Sequence, residues 1–189
     1  TETQFKLCFI NCSFLNTSQR DQGGSAFKGS DIYNRGNCLV TFDSCYFNGN
    51  NGRSYGGCLY FISDLDVIVR NCTFINNAVD NFSYDSGMGG VIYIKTVNEL
   101  TISDCLFESN HAPECQGFYC ENTVLPSSLI NCKFIDNVND QTFNYYLMRP
   151  QYSFILLTNK IKLKDCVFQC TIDIFSYPIL FKSTTNVSD

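Results

Sequence analysis

Residues 67–77 read VIVRNCTFINN, and the Cys-x-Phe motif at their centre recurs along the 189-residue chain. The six copies are Cys12–Phe14, Cys45–Phe47, Cys72–Phe74, Cys105–Phe107, Cys132–Phe134 and Cys166–Phe168, at spacings of 33, 27, 33, 27 and 34 residues. The residue three positions before each cysteine is always apolar. A motif kept in register over six copies is an internal repeat, and a period of this length indicates a solenoid.

Within each copy, apolar and polar residues alternate before the cysteine, as in Val67-x-Val69, and again in Cys-x-Phe after it. This period of two predicts short β-strands. The residue just before the cysteine is Asn, Asp or Ser in every copy: Asn11, Ser44, Asn71, Asp104, Asn131 and Asp165. Because Asn and Asp tolerate the left-handed backbone conformation, this position predicts a tight corner between two strands.

A second corner is predicted at Phe-x-x-Asn, which occurs in four copies and ends at Asn50, Asn77, Asn110 and Asn137. A variable loop follows and ends at a Gly-Gly pair before a third strand. The clear pairs precede Phe27, Tyr60 and Tyr93, which we align as equivalent positions. Each copy therefore contains three strands, two fixed corners and adjustable loops.

Three short strands per copy of about 30 residues predict an all-β fold, a parallel β-helix with three strands per turn and about six turns. We expect residues 1–189 to form a single domain. The first predicted strand begins close to Thr1, and no capping helix is visible in the sequence. Because the strand edges of a β-helix must be covered or continued, we expect the chain to be a segment of a longer repeat protein.

The combination of Phe-x-x-Asn with Gly-Gly resembles the repeats of chlamydial polymorphic membrane proteins over residues 5 to 182. The resemblance implies a right-handed β-helix of the pectin-lyase-like fold, exposed on a cell surface and used for adhesion or coat building. The chain departs from that family after Gly-Gly, where it has Ser25, Cys58 and Val91 instead of the usual alanine.

Composition limits the kinds of partner. The formal net charge is −5, and the 13 Lys and Arg residues form no basic run, which argues against nucleic acids and anionic membranes as partners. No apolar stretch approaches the ~20 residues of a membrane-spanning helix, so we expect no membrane insertion. The one histidine, His111, is expected to be a solvated loop residue. Because the chain also has no Cys-x-x-Cys pair, we expect no metal site and no cofactor.

The chain has 12 cysteines, and six of them occupy the repeated column. Packing of a small apolar thiol explains that column, but neighbouring strands are close enough to leave some cross-linking open. Outside the column, we predict a local disulfide between Cys115 and Cys120.

Charged residues converge at the first corner, where Asp43, Arg70 and Asp104 come from three consecutive turns. Carboxylates beside an arginine could bind Ca²⁺ or remove a proton from a uronic acid, as in the polysaccharide lyases and hydrolases that also use β-helices. Turn geometry already explains Asp104, because it occupies the corner position. The catalytic interpretation is therefore the alternative, and our prediction is that the chain is not an enzyme.

Five sequons are candidate glycosylation sites: Asn11, Asn16, Asn71, Asn81 and Asn186. We expect Asn81 to be the best candidate, because it lies in the longest loop that ends at a Gly-Gly pair.

The sequence thus predicts a non-enzymatic extracellular or cell-surface protein with a structural or adhesive role. Its partners would be other proteins or further copies of itself, contacted through the ends of the β-helix and the loops at residues 17–22, 51–55, 78–88, 111–116 and 138–151. Carbohydrate is a further expected ligand, because Tyr55, Tyr84, Tyr145 and Tyr146 in or beside these loops could stack on sugars. The alternatives are a carbohydrate-active enzyme and an intracellular scaffold.

Overall fold

A computed structural model describes residues 5–20, 23–29, 38–62, 65–79, 87–112, 115–137, 153–157, 161–169 and 177–181. The regular elements within these residues are short β-strands. Most of them form three six-stranded sheets in which every neighbouring pair of strands is parallel. We call these sheets 1, 2 and 3, in the order in which the chain passes through them.

Sheet 1 contains Phe5–Ile10, Cys38–Asp43, Asp66–Arg70, Glu99–Ser103, Ser127–Ile130 and Ile161–Lys164. Sheet 2 contains Ser13–Leu15, Tyr46–Asn48, Thr73–Ile75, Leu106–Glu108, Lys133–Ile135 and Val167–Gln169. Sheet 3 contains Phe27–Gly29, Leu59–Ile62, Ile92–Thr96, Phe118–Cys120, Ser153–Leu157 and Tyr177–Phe181. One circuit through the three sheets is a rung, and the described strands make six rungs. The predicted parallel β-helix with three strands per turn is confirmed.

Both predicted corners have left-handed backbone. At corner 1, between sheets 1 and 2, the residue before each column cysteine has φ between 51° and 55° in all six rungs. At corner 2, after sheet 2, the left-handed residue is the one before the asparagine of Phe-x-x-Asn. Asn16, Asn76, Ser109 and Asp136 have φ between 48° and 53° there, and Gly49 has 67°. Left-handed backbone favours Asn, Asp and Gly, which is why these types recur at the corners.

A short fourth ladder follows corner 2 and was not predicted. Asn51–Gly52 and Ala78–Val79 pair as parallel strands, and single bridges join Ser18 to Asn51 and Ala78 to His111. His111, expected to be a solvated loop residue, is half-buried, and its backbone forms a single bridge at the end of this ladder. The variable loops begin only after this ladder.

The core is one continuous stack between the sheets. The phenylalanines of Cys-x-Phe in neighbouring rungs lie face to face, with ring centroids 4.5 to 5.1 Å apart. Apolar residues from all three sheets surround this stack. Each stacked pair contributes roughly 0.5–1.5 kcal/mol beyond the burial of its area.

The first Gly-Gly pair is displaced by one residue from the predicted alignment. Phe27 pairs with Leu59 and Lys28 pairs with Tyr60, because Gly24 takes the left-handed position that the first glycine holds in the later pairs. A shift of one residue moves a strand side chain to the opposite face. Phe27 therefore packs against the core, and Lys28 Nζ lies 5.8 Å from the centre of the Tyr60 ring.

Candidate functional site

The outer side of corner 1 brings together two of the three charged residues predicted there. Arg70 Nη2 lies 2.8 Å from Asp43 Oδ2, and Arg70 Nε donates a hydrogen bond to the same oxygen at 2.9 Å. Asn71 Nδ2 and Ser44 Oγ donate to Asp43 Oδ1 at 3.2 and 3.0 Å. The hydrogen bonds from Asn71, Arg70 and Ser44 lower the pKa of Asp43. An ionised carboxylate with this many donors is a weak general base at neutral pH.

Asp104, the third member of the predicted cluster, belongs to a different pair. Its Oδ1 accepts a hydrogen bond from Asn131 Nδ2 at 2.7 Å. The exposed side of corner 1 is thus a line of separate polar pairs between neighbouring rungs, Asp43 with Arg70 and Asp104 with Asn131. The three predicted residues do not form one cluster.

The inner side of corner 1 carries the cysteine column, and its thiols do more than fill space. Each of the six Sγ atoms donates to the carbonyl two residues earlier, across the corner, at 3.1 to 3.4 Å. From the second rung onward, each Sγ also lies 3.4 to 3.8 Å from a sheet 1 carbonyl of the preceding rung. The thiols are weak donors, and they serve the backbone carbonyls on the inner side of corner 1.

All six column cysteines are present as thiols, which is the first of the two alternatives left open by the sequence. The four in the middle rungs are at most 2% exposed. Burial raises the pKa of the Cys45 and Cys166 thiols, whereas the hydrogen bond with the Cys105 thiol lowers the pKa of Cys72 and Cys132.

The predicted disulfide between Cys115 and Cys120 is wrong. Cys120 lies in the core opposite Ile94, whereas Cys115 belongs to a separate cluster on the outer face of sheet 3. Both are thiols. The two sulfur atoms belong to different clusters, because Cys120 is on the core face of the strand Phe118–Cys120, whereas Cys115 precedes that strand with left-handed backbone.

The inner side of corner 2 holds a ladder of buried asparagines, at most 1% exposed. We call Asn50, Asn77, Asn110 and Asn137 the asparagine ladder. Each Nδ2 donates to the carbonyl of the Cys-x-Phe phenylalanine in the preceding rung at 2.9 to 3.1 Å. Each Nδ2 except the last also donates to Oδ1 of the next asparagine at 2.9 to 3.0 Å.

Thr17 replaces asparagine in the first rung. Its backbone nitrogen and its Oγ1 donate to Asn50 Oδ1 at 3.1 and 2.7 Å. The Phe-x-x-Asn pattern predicts the asparagine at the corner itself. The structure instead shows that the preceding residue forms the corner and that the asparagine is an internal donor.

A second apolar cluster covers part of the outer face of sheet 3. Tyr60, Tyr93 and Tyr119 are 6 to 7% exposed and stack along the helix axis, with centroids 5.4 and 4.8 Å apart. Burial raises the pKa of Tyr93. Tyr55, predicted to stack on sugars, packs here 4.7 Å from Tyr93. In the sequence, this cluster is visible only as a tyrosine that follows Gly-Gly in two copies. That the tyrosine side chains point outward depends on the register of their strands.

The remaining tyrosines proposed for sugar stacking, Tyr84, Tyr145 and Tyr146, lie outside the described residues. So do the sequon residues Asn81 and Asn186. Asn11 and Asn71 at corner 1 and Asn16 at corner 2 are exposed.

Two further features bear on the kinds of site present. Within the described ranges, no three His, Cys, Asp or Glu side chains are grouped so that they could hold a metal ion. The described part of the chain contains no helix that is long and apolar enough to cross a membrane.

Comparisons with known proteins support the fold. The profile of a family described as a right-handed β-helix region matches residues 4–172. The metabotropic glutamate receptor-like protein P of Dictyostelium discoideum is 32% identical over 112 residues, which are 59% of this chain. The chain spans 7% of the length of that protein. No solved structure matches the chain.

Proposed function

The chain belongs to the family of right-handed β-helix regions, and from this we propose that it is a non-enzymatic scaffold at the cell surface or in the extracellular space. It presents variable loops and strand edges to other proteins, with carbohydrate as a further ligand. The narrower relation to chlamydial surface repeats is part of this proposal. The receptor-like name of the Dictyostelium protein supports the surface location.

The observation that carries the proposal is the use of the polar side chains at the corners. Asp43 is held by Arg70, Asn71 and Ser44. Inside the rungs, the thiols and the asparagine ladder serve backbone carbonyls. Side chains that satisfy the fold itself are not held ready for a substrate, whereas an active site keeps donors and acceptors directed at a reacting atom.

The edge of the first rung is a candidate contact surface. Phe5, Ile10 and Leu15 are 55%, 59% and 52% exposed, whereas the equivalent residues of the second rung are buried or half-buried, namely Cys38, Asp43 and Asn48. The backbone of this rung bonds to the second rung on one side. Another β-helical rung would cover the apolar side chains and pair the strand edge that has no partner strand among the described residues.

Sedimentation velocity over a range of concentrations tests this contact. The unchanged chain should self-associate through the edge, and replacing Phe5, Ile10 and Leu15 by serine should make it monomeric. Serine at Val124 and Leu125, which are 48% and 43% exposed away from this edge, is the matched control. An unchanged chain that stays monomeric at all concentrations would count against contact through the edge.

The location is tested with an antibody against the chain on cells of the organism that encodes it. Staining of intact cells, or recovery of the protein from the medium, is the expected result. Staining that appears only after permeabilisation would favour the intracellular scaffold and overturn the surface proposal.

The enzymatic alternative is tested by incubating the chain with acidic polysaccharides, with and without Ca²⁺, and measuring depolymerisation. We expect no turnover. Activity that is lost in Asp43→Asn or Asp104→Asn and kept in Asp165→Asn would establish an enzyme, because Asp165 occupies the same corner position outside the predicted cluster.

A further inference from the structure

Three sequon asparagines lie at exposed left-handed corners on the two borders of sheet 2. Asn11 and Asn71 are corner 1 residues of the first and third rungs, and Asn16 is the corner 2 residue of the first rung. Asn11 and Asn16 therefore flank a single three-residue strand, Ser13–Leu15.

At the corners, successive side chains point to opposite sides, so the middle residue of each sequon points inward and the asparagine before it points to solvent. In Asn71-Cys72-Thr73, the cysteine faces the core and is 1% exposed, while the asparagine before it is exposed. In Asn16-Thr17-Ser18, the middle residue donates inward to the asparagine ladder, and the residues on both sides are exposed. The fold thus turns the middle residue inward, half-buried at Cys12 and Thr17 and buried at Cys72, and leaves the acceptor asparagine exposed.

The surroundings of Asn16 and Asn71 are compatible with a substituted side-chain amide. The corner 2 residue of the second rung, next to Asn16, is Gly49, and a Cβ on that glycine would collide with Asn16 Oδ1. The glycine therefore leaves room for the Asn16 side chain. Asn71 Nδ2 donates to Asp43 at 3.2 Å, and a substituted amide keeps one N–H that can still make this bond.

We propose that Asn11, Asn16 and Asn71 carry N-linked glycans when the chain passes through a secretory pathway, an inference that rests on the proposed surface function. The host's glycosyltransferase would supply a lipid-linked oligosaccharide diphosphate. A bond forms between the asparagine Nδ2 and the anomeric carbon of the sugar. The bond from that carbon to the diphosphate breaks, the lipid diphosphate leaves, and the amide loses one proton.

Glycans at these positions would restrict where partners bind. Asn11 and Asn71 are two rungs apart on one border of sheet 2, about 10 Å along the axis, and Asn16 lies on the other border. Sugars there would shield the outer face of sheet 2 near the first three rungs. The surfaces left for protein partners are the edge of the first rung, the loops and the side of the molecule formed by sheet 3.

The test is secreted expression of the full chain in a eukaryotic host, with intact mass measured before and after treatment with a peptide N-glycosidase. Ser13→Ala, Ser18→Ala and Thr73→Ala each remove one sequon and leave the corner asparagine in place. Each variant should lose the mass of one glycan, and circular dichroism should show an unchanged fold.

Asn131 allows a matched test in which a sequon is added. It occupies the same exposed corner as Asn71 but is followed by Cys132 and Lys133, so that it forms no sequon. Lys133→Thr completes the sequon and should add one glycan.

The failures of the two proposals are distinguishable. A folded, secreted chain whose peptide map shows Asn11, Asn16 and Asn71 unmodified would overturn the glycan assignment and leave the surface role standing. A secreted recombinant chain with all three glycans, beside a native protein that has none, would support the assignment and overturn the surface role.

Discussion

Replacing Asn110 by alanine tests the asparagine ladder where it is complete on both sides. The side chain makes four hydrogen bonds. Nδ2 donates to the Phe74 carbonyl at 3.0 Å and to Asn137 Oδ1 at 2.9 Å. Oδ1 accepts from the backbone nitrogen and the Nδ2 of Asn77, both at 3.0 Å.

The expected loss in the free energy of unfolding follows from these four hydrogen bonds. An intramolecular hydrogen bond contributes about 1 kcal/mol net, and a buried group left without a partner costs more. Four lost bonds at a residue that is 0% exposed therefore give a loss of about 4 kcal/mol. Domains of this kind have a free energy of unfolding of roughly 5–15 kcal/mol, so the loss is a large share of the whole. Asn110→Thr should cost less, because Thr17 occupies the equivalent position in the first rung and donates through its hydroxyl group.

The assay is urea unfolding followed by circular dichroism. With a slope of about 2 kcal/mol per molar urea, Asn110→Ala should lower the midpoint by about 2 M. The exposed Asn122 is the control, and Asn122→Ala should change stability by less than about 0.5 kcal/mol. A loss below about 1 kcal/mol for Asn110→Ala, at an unchanged slope, would refute the view that the ladder stabilises the rungs.

Three further results are expected. Cys72→Ala should cost about 2 kcal/mol in urea unfolding and Cys72→Ser about half as much, because serine still donates to the corner carbonyls; equal losses would contradict this role. Gly57→Ala should lower the melting temperature by more than 10 °C, because its Cβ would overlap the carbonyl oxygens of Gly90 and Ala78; an unchanged melting temperature would show that the rungs can separate there. Asp43→Asn should destabilise the chain at pH 7. Its deficit should shrink as the pH falls below about 4, because the lowered folded-state pKa of Asp43 means that its stabilisation is lost on protonation; a deficit that stays constant down to pH 2 would exclude this.

Local patterns predicted the features of the fold that depend on single residues and their neighbours in sequence. Strand alternation and the tolerance of Asn and Asp for left-handed backbone are properties of short segments, and both were visible in residues 67–77. The short ladder at Asn51–Gly52 and Ala78–Val79 was missed, because two-residue strands carry no alternation. The shift at Gly24 was missed for a related reason. Both Gly23 and Gly24 have positive φ. The choice of which glycine takes the left-handed corner position changes the register of the following strand, but it leaves the Gly-Gly motif itself unchanged.

The candidate site was less predictable, because contacts between rungs determine it. The sequence placed Asp43, Arg70 and Asp104 at one corner, but the choice of partner depended on neighbouring asparagines, which bind both carboxylates. The sequence also gave no sign that Cys115 and Cys120 face opposite sides of a sheet. Side-chain direction at the end of a loop depends on the backbone conformation at the loop's last residue, and Cys115 is itself left-handed, with φ of 54°.

Because every rung repeats the same columns of residues, the protein can gain or lose whole rungs during evolution. Removing residues 72–131 would join Asn71 to Cys132 and leave the thiol column, the phenylalanine stack and the asparagine ladder uninterrupted. Duplicating the same 60 residues would lengthen the rod by two rungs, about 10 Å. Unequal recombination within the gene can therefore lengthen or shorten the molecule by whole rungs. Each product keeps a continuous core.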